Sequence, residues 1–371
     1  MNDNKRLLSL DVLRGFDLLM LVGLQPVLRH ALIELDCQAL NDTLLYQLDH
    51  AEWEGLRVWD MVMPLFLFMS GVTMPYSLPK YRTLNGDLRV WQRVLKRFAL
   101  LFILGMVVQG NVLALDPDRV YIYSNTLQAI AVGYLLTVPL VLYMKPWQQL
   151  ATIFALLVIY SIPMHLCGDW SAQGNFACML DKAVLGRFRD GSVLAADGSV
   201  QFAGWYDYTW IWSSLTFCCT VAFGSFAGYM TKNGNNNRMA TAQRLLLAAV
   251  VLLLCGYIAD FVQPVIKRIW TASMVLYSAG WCYLLLALFY WWIDVKGHTK
   301  GWGWLQYYGC NAITAYLIGE IVNFRCIASS LLHGTEQYLD GWYPVLLTAC
   351  NSLLLFFILK LMYKYKLFFK V

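Results

Sequence analysis

The sequence predicts an all-α, polytopic transmembrane helical bundle. Of the 371 residues, 59% are hydrophobic and only 14% are charged, and the mean hydropathy is +0.52. Soluble domains are about 45–50% apolar and about 25% charged, so this composition is typical of an integral membrane protein. The 15 Trp and 22 Tyr residues fit the aromatic belts that form where helices leave the bilayer.

Ten apolar segments are each long enough to cross a bilayer, which takes about 20 residues. They are residues 7–30, 56–78, 95–115, 124–143, 147–166, 209–230, 243–262, 269–293, 305–324 and 342–363. The opening MNDNKRLLSLDVLRG has no small-residue cleavage site, so we interpret its apolar part as a retained first span rather than a signal peptide. We expect the spans to form a single transmembrane domain over 1–371.

The positive charges orient these spans, because Lys and Arg concentrate in cytoplasmic loops. With ten spans, nearly all the basic loops and ends fall on one side: Lys5, Arg6, Lys80, Arg82, Arg89, Arg93, Lys96, Arg97, Lys145, Lys232, Arg238, Arg244, Lys296, Lys300, Lys364, Lys366 and Lys370. Both termini are then cytoplasmic, and the loops at about 31–55 and 167–208 face outward. In a bacterium the protein would lie in the inner membrane, with these loops in the periplasm.

Lys267 and Arg268 are the exception, because ten spans place them on the outer side. Two readings stay open. Either the charge rule fails at this one loop, or these cations bind something anionic, which makes Lys267 a candidate for substrate binding.

The cysteines give no sign of a metal site. Most of the 10 lie within predicted spans, and no CxxC motif or His/Cys cluster occurs, so we expect no metal. Cys37, Cys167 and Cys178 fall in outward loops, where oxidation is possible, and the last two are spaced to close a short disulfide loop. The net charge of +5 is concentrated in a few loops. It therefore indicates how the spans are oriented, and we expect no nucleic-acid partner.

The stretch LDHAEWEGLRVWDMVMPLFLFMSG, residues 48–71, carries the clearest chemical signal. His50 precedes a long apolar run, and Asp60 lies just inside its start. Ionisable groups at a membrane boundary are costly and usually functional, and histidine is well matched to proton transfer near neutral pH. An ordinary interfacial histidine is the competing interpretation. His30 is a second outward histidine, while His165 and His333 lack comparable surroundings.

Four ordered blocks resemble the membrane acyltransferases that include heparan-α-glucosaminide N-acetyltransferase. The opening RLLSLDVLRGFDLLMLV is similar to the start of that family. The second block shares His50, Trp53, Gly55, Asp60, Pro64, Phe66 and Gly71. The others are PVIKRIWTASMVLYSAGWCYLLLALFYWWIDVKG at 264–297 and GCNAITAYLIGE at 309–320. Two departures bear on the chemistry: Gln25 stands where the family has an asparagine, and WYDYTWIWSSLTF at 205–217 replaces an acidic Pro–Glu–Gly segment.

The resemblance implies transfer of an acetyl group from acetyl-CoA to an amino sugar or oligosaccharide across the membrane, by a lipid-embedded protein and in a homodimer. His50 would take the proton of the acceptor amine or hydroxyl, or attack first and carry the acetyl group itself. Gln25 would stabilise the oxyanion that forms on the thioester. Asp60 would orient His50 or anchor Arg57.

The donor and the acceptor each have candidate residues. Arg14, Arg93 and Arg97 are placed to meet the CoA phosphates at the inner surface. Arg14 has Asp11 and Asp17 on its own helix face, so a structural ion pair is its alternative, and the loop arginines could be topology signals only. For the acceptor we expect Glu320, Asn125, Gln128, Lys267 and Trp53. Interhelical hydrogen bonding, or interfacial anchoring for Trp53, is the competing role.

Two other functions fit parts of the sequence. The same scaffold could acylate hydroxyl groups of a surface or lipid-linked saccharide. A permease without chemistry is the alternative from another class, and such transporters often contain internal repeats. No convincing repeat is visible here, and the His50 block is concentrated in one place rather than duplicated.

Overall fold

The computed structural model describes residues 7–195, 197–234, 237–322 and 324–368. Lys5, Arg6 and Lys370, which contributed to the predicted orientation, lie outside these residues. The described chain is mainly helical, as predicted. Its helices are α1 (Leu8–Leu19), α2 (Gln25–Leu35), α3 (Gln38–Leu40), α4 (Tyr46–Leu48), α5 (Val62–Val72), α6 (Met74–Gln109), α7 (Thr126–Tyr143), α8 (Pro146–Leu166), α9 (Phe176–Leu185), α10 (Ser213–Asn233), α11 (Arg238–Asp260), α12 (Ala272–Tyr290), α13 (Gly303–Cys310), α14 (Ala312–Ile321), α15 (Phe324–Leu331), α16 (Glu336–Leu339) and α17 (Tyr343–Lys364).

The described residues form two compact units. The first unit holds the chain up to Ala51, then Arg57–Val62, and the part that begins at Leu285. The second unit holds Glu52–Leu56 and Met63–Leu284. A short antiparallel pair of strands in the second unit, β1 (Ser192–Leu194) and β2 (Val200–Phe202), lies in the predicted 167–208 loop. The single domain expected over 1–371 stays a prediction.

In the first unit, α1 packs closely on α13 through two glycines. A Cβ at Gly15 would overlap the carbonyl oxygen of Leu305, and a Cβ at Gly309 would overlap that of Asp11. Small residues let helix backbones approach this closely in membrane proteins. The first and fourth family-like blocks therefore meet at one helix interface.

In the second unit, α10 is an inner helix. A Cβ at Gly71 would overlap the carbonyl oxygen of Val221, and one at Gly224 would overlap that of Phe68. Thr137 of α7 donates a hydrogen bond of 3.2 Å to the Cys218 carbonyl oxygen. The Ser, Thr, Cys and Gly residues of α10 are thus buried against α5 and α7 rather than exposed to lipid.

Among the described residues, seven helices are long and apolar enough to cross a membrane: Leu8–Leu35, Val58–Leu84, Thr126–Tyr143, Pro146–Leu166, Arg238–Asp260, Ala272–Val295 and Glu336–Lys364. An eighth is reached if α14 and α15, which are bent sharply relative to each other, form one broken span. The predicted segments 95–115 and 209–230 coincide with helical chain in α6 and α10 but do not pass this test. Ten spans and cytoplasmic termini are not confirmed and stay predictions.

Local sequence explains the departures from ten uniform spans. The second half of α6 contains Arg93, Lys96 and Arg97, and α10 is rich in small polar residues. The segment predicted at 305–324 is divided into α13 and α14, which meet at Asn311 with a non-helical backbone. A π-helical turn at Met20–Leu24 joins α1 to α2 within one long span. A 3₁₀ turn begins the span at Val58, and a π-helical turn ends the span at Val295.

Candidate active site

His50 and Asp60 form a hydrogen-bonded pair in the first unit. The distance from Nδ1 of His50 to Oδ1 of Asp60 is 2.7 Å. An ionised carboxylate only accepts hydrogen bonds, so Nδ1 carries the proton in this pair, and in the neutral ring Nε2 is the basic nitrogen. The Asp60 side chain is buried, with 1% exposed, whereas 42% of the His50 side chain is exposed. The predicted orienting role of Asp60 toward His50 matches this geometry.

Asp60 also shapes the backbone around His50. Its Oδ2 accepts hydrogen bonds from the backbone N–H groups of Ala51 and Arg57, each at 3.1 Å. Asp60 lies in a 3₁₀ turn, Val58–Met61, whose first backbone bond runs from Asp60 to the Arg57 carbonyl oxygen. The carboxylate therefore closes the chain between residues 51 and 57 and holds the imidazole at the same time.

Arg57 packs on an aromatic ring of the same unit. Its guanidinium carbon lies 3.8 Å from the centre of the Tyr46 ring, a favourable cation–π distance. Only the backbone of Arg57 reaches Asp60 among the hydrogen bonds given above. Asp60 thus orients His50 through its side chain, while Arg57 packs on α4.

Gln25 lies beneath the segment that carries His50. It is the first residue of α2, only 6% exposed, and its Nε2 donates a hydrogen bond of 2.8 Å to the carbonyl oxygen of Leu48. A primary amide has two N–H donors, and this bond uses one of them. Gln25 therefore fixes the backbone two residues before His50.

Two further contacts hold this segment, and no sequence pattern predicted them. Arg29 donates from Nε to Oδ1 of Asp49 at 2.9 Å, next to His50. The Oε1 of Gln47 accepts a hydrogen bond of 3.0 Å from the backbone N–H of Val58. The signal that could have found the first pair is the lone arginine at the predicted outer end of the first span, opposite an acidic loop.

Trp53 has a packing role in the second unit. Its Nε1 donates a hydrogen bond of 2.7 Å to the carbonyl oxygen of Trp170, and its ring packs on the cluster of Tyr160, Met164 and Ile266. Gly55, with φ of +100°, donates from its backbone N–H to the Val265 carbonyl oxygen at 2.7 Å. These contacts favour the anchoring interpretation of Trp53 over sugar stacking.

Asn125 and Gln128 cap the start of α7. Asn125 Oδ1 accepts from the backbone N–H of Leu127 at 2.8 Å, and Gln128 Oε1 accepts from that of Ser124 at 2.9 Å. Both side chains are buried, with at most 1% exposed. Because their amides are used within the fold, the proposed acceptor site does not include them.

Arg93 and Arg97 both lie on α6 over aromatic rings. The guanidinium carbon of Arg93 is 4.7 Å from the centre of the Tyr81 ring, and that of Arg97 is 4.3 Å from the centre of the Tyr134 ring. The Arg97 Nε is buried without a hydrogen-bond partner among the described residues. Neither contact tests phosphate binding, which stays a prediction for both residues.

Arg14 and Glu320 lie on separate helices of the first unit. Arg14 is partly buried on α1, three residues from the buried Asp11 and three from the buried Asp17. Glu320 is exposed one residue before the end of α14. The predicted roles of Arg14 toward CoA and of Glu320 toward the acceptor stay predictions.

Lys267 lies in a tightly bonded turn of the second unit. Its side chain is 8% exposed, and Arg268 beside it forms an ion pair with Asp207. Trp270 adopts φ of +52°, and its Nε1 donates to Oγ1 of Thr220 at 3.1 Å. A left-handed backbone is rare for a bulky residue and is retained where the surroundings force it. No sequence pattern predicts this strained turn, because Trp270 lies within an apolar segment that is predicted to span the membrane.

The predicted bond between Cys167 and Cys178 is absent. Cys167 is exposed, whereas Cys178 is buried. The Sγ of Cys178 lies 3.6 Å from Nη2 of Arg189 and 3.8 Å from Oε1 of Gln173. Burial of Cys178 on the inner face of α9 separates the two thiols, so this prediction is wrong for the described structure.

The fold and the His50–Asp60 pair together define a helical membrane protein with an oriented imidazole suited to acid–base chemistry. Residues 6–176 match the family model "Heparan-alpha-glucosaminide N-acetyltransferase, catalytic". The heparan-alpha-glucosaminide N-acetyltransferase of Mus musculus is 22% identical over 375 residues, which cover 87% of this chain and 56% of the relative. The resemblance predicted from the sequence is confirmed, and these similarities support an acyltransferase enzyme integral to a membrane.

The matched range includes some of the candidate residues and leaves out others. The chain spans only about half the length of this curated relative. The matched residues 6–176 contain His50, Asp60, Gln25 and Arg14, but neither Lys267 nor Glu320. The matched range also contains Trp53, Arg93, Arg97, Asn125 and Gln128, and the roles of all these candidate residues stay predictions.

Proposed function

We propose that this protein transfers an acetyl group from acetyl-CoA to the amine of a sugar, with His50 as the general base. The observation that carries the proposal is the 2.7 Å bond between the half-exposed His50 ring and the buried Asp60 carboxylate. A base held in position by a third group is the arrangement expected for activation of a nucleophile. The family match, over a range that includes both residues, supports acyl transfer as the reaction.

The proposed reaction balances around the Nε2 atom of His50. The acceptor nitrogen attacks the thioester carbonyl carbon while its proton passes to Nε2. Asp60 stabilises the imidazolium that results, and collapse of the tetrahedral intermediate breaks the C–S bond. The thiolate of CoA then takes the proton from His50, which leaves an N-acetyl sugar, CoA and the neutral imidazole.

Gln25 has two parts in this proposal. Its bond to the Leu48 carbonyl oxygen holds the backbone before His50, and its second amide N–H is the donor offered to the developing oxyanion. Preorganised donors of this kind typically contribute about 10²–10³ to kcat. Gln25 is one methylene longer than the asparagine of the resembled family, which sets a different reach toward the same carbonyl.

Arg14 of the first unit is the proposed contact for the CoA phosphates. Guanidinium groups match phosphate geometry and stay charged at all relevant pH values. Acetyl-CoA is a cytoplasmic metabolite, so in this proposal it enters from the basic inner face while His50 faces the opposite compartment. The orientation rests on the one-sided distribution of Lys and Arg.

The test is transfer of radiolabelled acetyl from acetyl-CoA by the purified protein in detergent. A panel of amino sugars, neutral sugars and oligosaccharides is offered, and the product's lability to mild base separates N-acetyl from O-acetyl groups. The proposal expects a base-stable product with amino sugars and none with the His50→Ala variant. An O-acetyl product would show that the acceptor group is a hydroxyl and not an amine. Substrate transport without any acetylated product would favour a permease.

Sealed vesicles of known orientation test the sidedness. With acetyl-CoA on the cytoplasmic side and an impermeant amino sugar on the other, transfer is expected only when the two substrates are on opposite sides. Transfer with both substrates confined to the cytoplasmic side would contradict the proposed orientation.

A further inference from the structure

A polar cavity of about 450 Å³ lies in the first unit, where α15 is followed by α16 and α17. Five residues line it: Ser329, Ser330, His333, Glu336 and Tyr343. It is a shallow depression that is open to solvent over most of its extent. The reaction proposed above uses none of these side chains.

The cavity is tied to the helix that supports the His50 segment. Helix α15 packs on α17, and a turn at Asp340–Trp342 joins α16 to α17 and contacts α2. Gly341 lies so close to Glu34, near the end of α2, that a Cβ there would overlap the carboxylate. The chain that leaves this end of α2 continues toward His50 within the same unit.

The walls of the cavity mainly accept hydrogen bonds. The hydroxyl groups of Ser329 and Ser330 both donate to the carbonyl oxygen of Cys326, at 2.9 and 3.0 Å. Their protons are thereby directed to the backbone, and their oxygens retain acceptor capacity. The Glu336 carboxylate accepts a hydrogen bond of 2.8 Å from the backbone N–H of Gly334. A carboxylate has about four acceptor positions in all.

The remaining two residues add an aromatic face and an exposed ring. Tyr343 supplies a phenol whose flat ring offers apolar contact at one end and a polar group at the other. Nδ1 of His333 lies 3.8 Å from Oε1 of Glu336, and 88% of the His333 side chain is exposed against 48% for Glu336. The cavity is therefore open to solvent at the His333 side and negatively charged at Glu336.

We infer that this cavity binds a saccharide through its hydroxyl and ammonium groups, as a docking subsite for an amino-sugar acceptor. Acceptor-rich walls pair with ligands that donate, and the Glu336 carboxylate attracts an ammonium and repels phosphate, sulfate or carboxylate groups. The choice of an amino sugar over another polyol rests on the proposed function. The binding of a hydroxylated donor ligand rests on the cavity alone.

Binding of methyl α-D-glucosaminide to the purified full chain tests this inference without any acetyl transfer. Calorimetry is run on the wild type, Glu336→Gln, Ser330→Ala and Ser352→Ala, with methyl α-D-glucoside as the ligand that lacks the ammonium. Glu336→Gln should weaken glucosaminide binding about fivefold, because it removes a charge-assisted contact that solvent partly screens. The glucoside should lose less affinity in this variant.

Ser352→Ala is the matched control, because Ser352 lies on α17 and bonds to the Thr348 carbonyl oxygen away from the cavity. It should bind both sugars as the wild type does, while Ser330→Ala should weaken both. Equal affinity in the wild type and both cavity variants would overturn the inference.

The failure of this inference is distinguishable from the failure of the proposed function. Acetyl transfer with an unchanged KM for the sugar in Glu336→Gln and Ser330→Ala would reject the subsite and keep the reaction. Sugar binding that these variants weaken, in a protein that forms no acetylated product, would keep the subsite and reject the reaction.

Discussion

The imidazole of His50 and the carboxylate of Asp60 are joined by a hydrogen bond of 2.7 Å between Nδ1 and Oδ1, while Oδ2 of Asp60 bonds to two backbone N–H groups. One buried carboxylate thus sets both the orientation of the ring and the path of the chain beside it. Changes at Asp60 should therefore alter catalysis and local stability together.

Asp60→Asn should lower kcat for acetyl transfer by about a hundredfold, because a neutral amide does not stabilise the imidazolium. It should leave the KM for acetyl-CoA nearly unchanged and lower the Tm, since the single amide oxygen cannot accept hydrogen bonds from His50 and from the two backbone N–H groups at once. Asp49→Asn is the control, because Asp49 pairs with Arg29 at a site where both side chains are 42% exposed. Equal losses of kcat in the two variants would contradict a specific role for Asp60.

His50→Ala should abolish most turnover while folding and acetyl-CoA binding persist. Removal of a general base typically costs about 10²–10⁴ in rate, and a half-exposed ring contributes little packing. His30→Ala is the matched control, because His30 Nδ1 lies 2.7 Å from the Pro26 carbonyl oxygen within its own helix. Steady-state kinetics of both variants decide the matter, and similar rates would remove His50 from the proposed mechanism.

Arg14→Ala should weaken CoA binding about tenfold or more, the effect of losing a charge-assisted hydrogen bond to phosphate. The affinity is measured by calorimetry with CoA on protein whose Tm is also recorded. Arg29→Ala, in the same unit but paired with Asp49, should bind CoA normally. An Arg14→Ala protein that folds and binds CoA with wild-type affinity would show that Arg14 has a structural role only.

Gly309→Ala should destabilise the α1–α13 interface, because the added Cβ would overlap the Asp11 carbonyl oxygen. Overpacking of this kind costs about 1–3 kcal/mol, which a lower Tm in detergent would report. Gly319→Ala is the control, since its Cβ would meet Val22 at an ordinary 3.5 Å and alanine favours the helix. The α1–α13 contact would be refuted by a Gly309→Ala protein as stable as Gly319→Ala.

Asp181 should make the loop at about 167–208 less stable as the pH rises. Burial raises the pKa of this carboxyl to about 6, although the N–H groups of Trp210 and Ile211 and the charge of Arg189 favour its ionised form. Since the folded pKa exceeds the unfolded one, the folded state binds more protons between about pH 4 and 6, and its stability falls across that window.

The Tm of the wild type should therefore fall more steeply from pH 4.5 to 7 than that of Asp181→Asn. The variant should be less stable overall, because its amide has one acceptor oxygen where the carboxylate has two. Asp197→Asn is the control, because hydrogen bonds from Ser199 lower the pKa of that exposed carboxyl. Parallel Tm profiles for the wild type and Asp181→Asn would disprove the contribution of Asp181.

Sequence patterns predicted the positions of the helices well, because an apolar run of about 20 residues has few ways to satisfy its backbone in a bilayer other than as a helix. The number of spans stays a prediction, because seven or eight of the ten segments meet the criterion of length and apolarity. Length and apolarity say nothing of burial within the protein, and α10 is covered by α5 and α7 although its own residues are small and polar.

In the candidate site, too, some features follow from the sequence and others only from the fold. His50 and Asp60 were paired from their types and their place in one block, and the geometry agrees. Asn125 and Gln128 have the same amide chemistry as Gln25, but they start a helix, where orphan N–H groups need acceptors. No local pattern distinguishes an amide that caps a helix from one that faces a substrate.

The sequence by itself determined that this is a helical membrane protein that resembles membrane acyltransferases and that His50 and Asp60 lie in its most informative block, because composition and residue type depend only on the chain. Tertiary structure alone decided which groups meet: Gln25 with Leu48, Arg29 with Asp49, Trp53 with Trp170, and Cys178 with Arg189 instead of Cys167. These contacts join residues between about 10 and 120 positions apart, and such pairings are set by how helices pack, which hydrophobic periodicity does not encode.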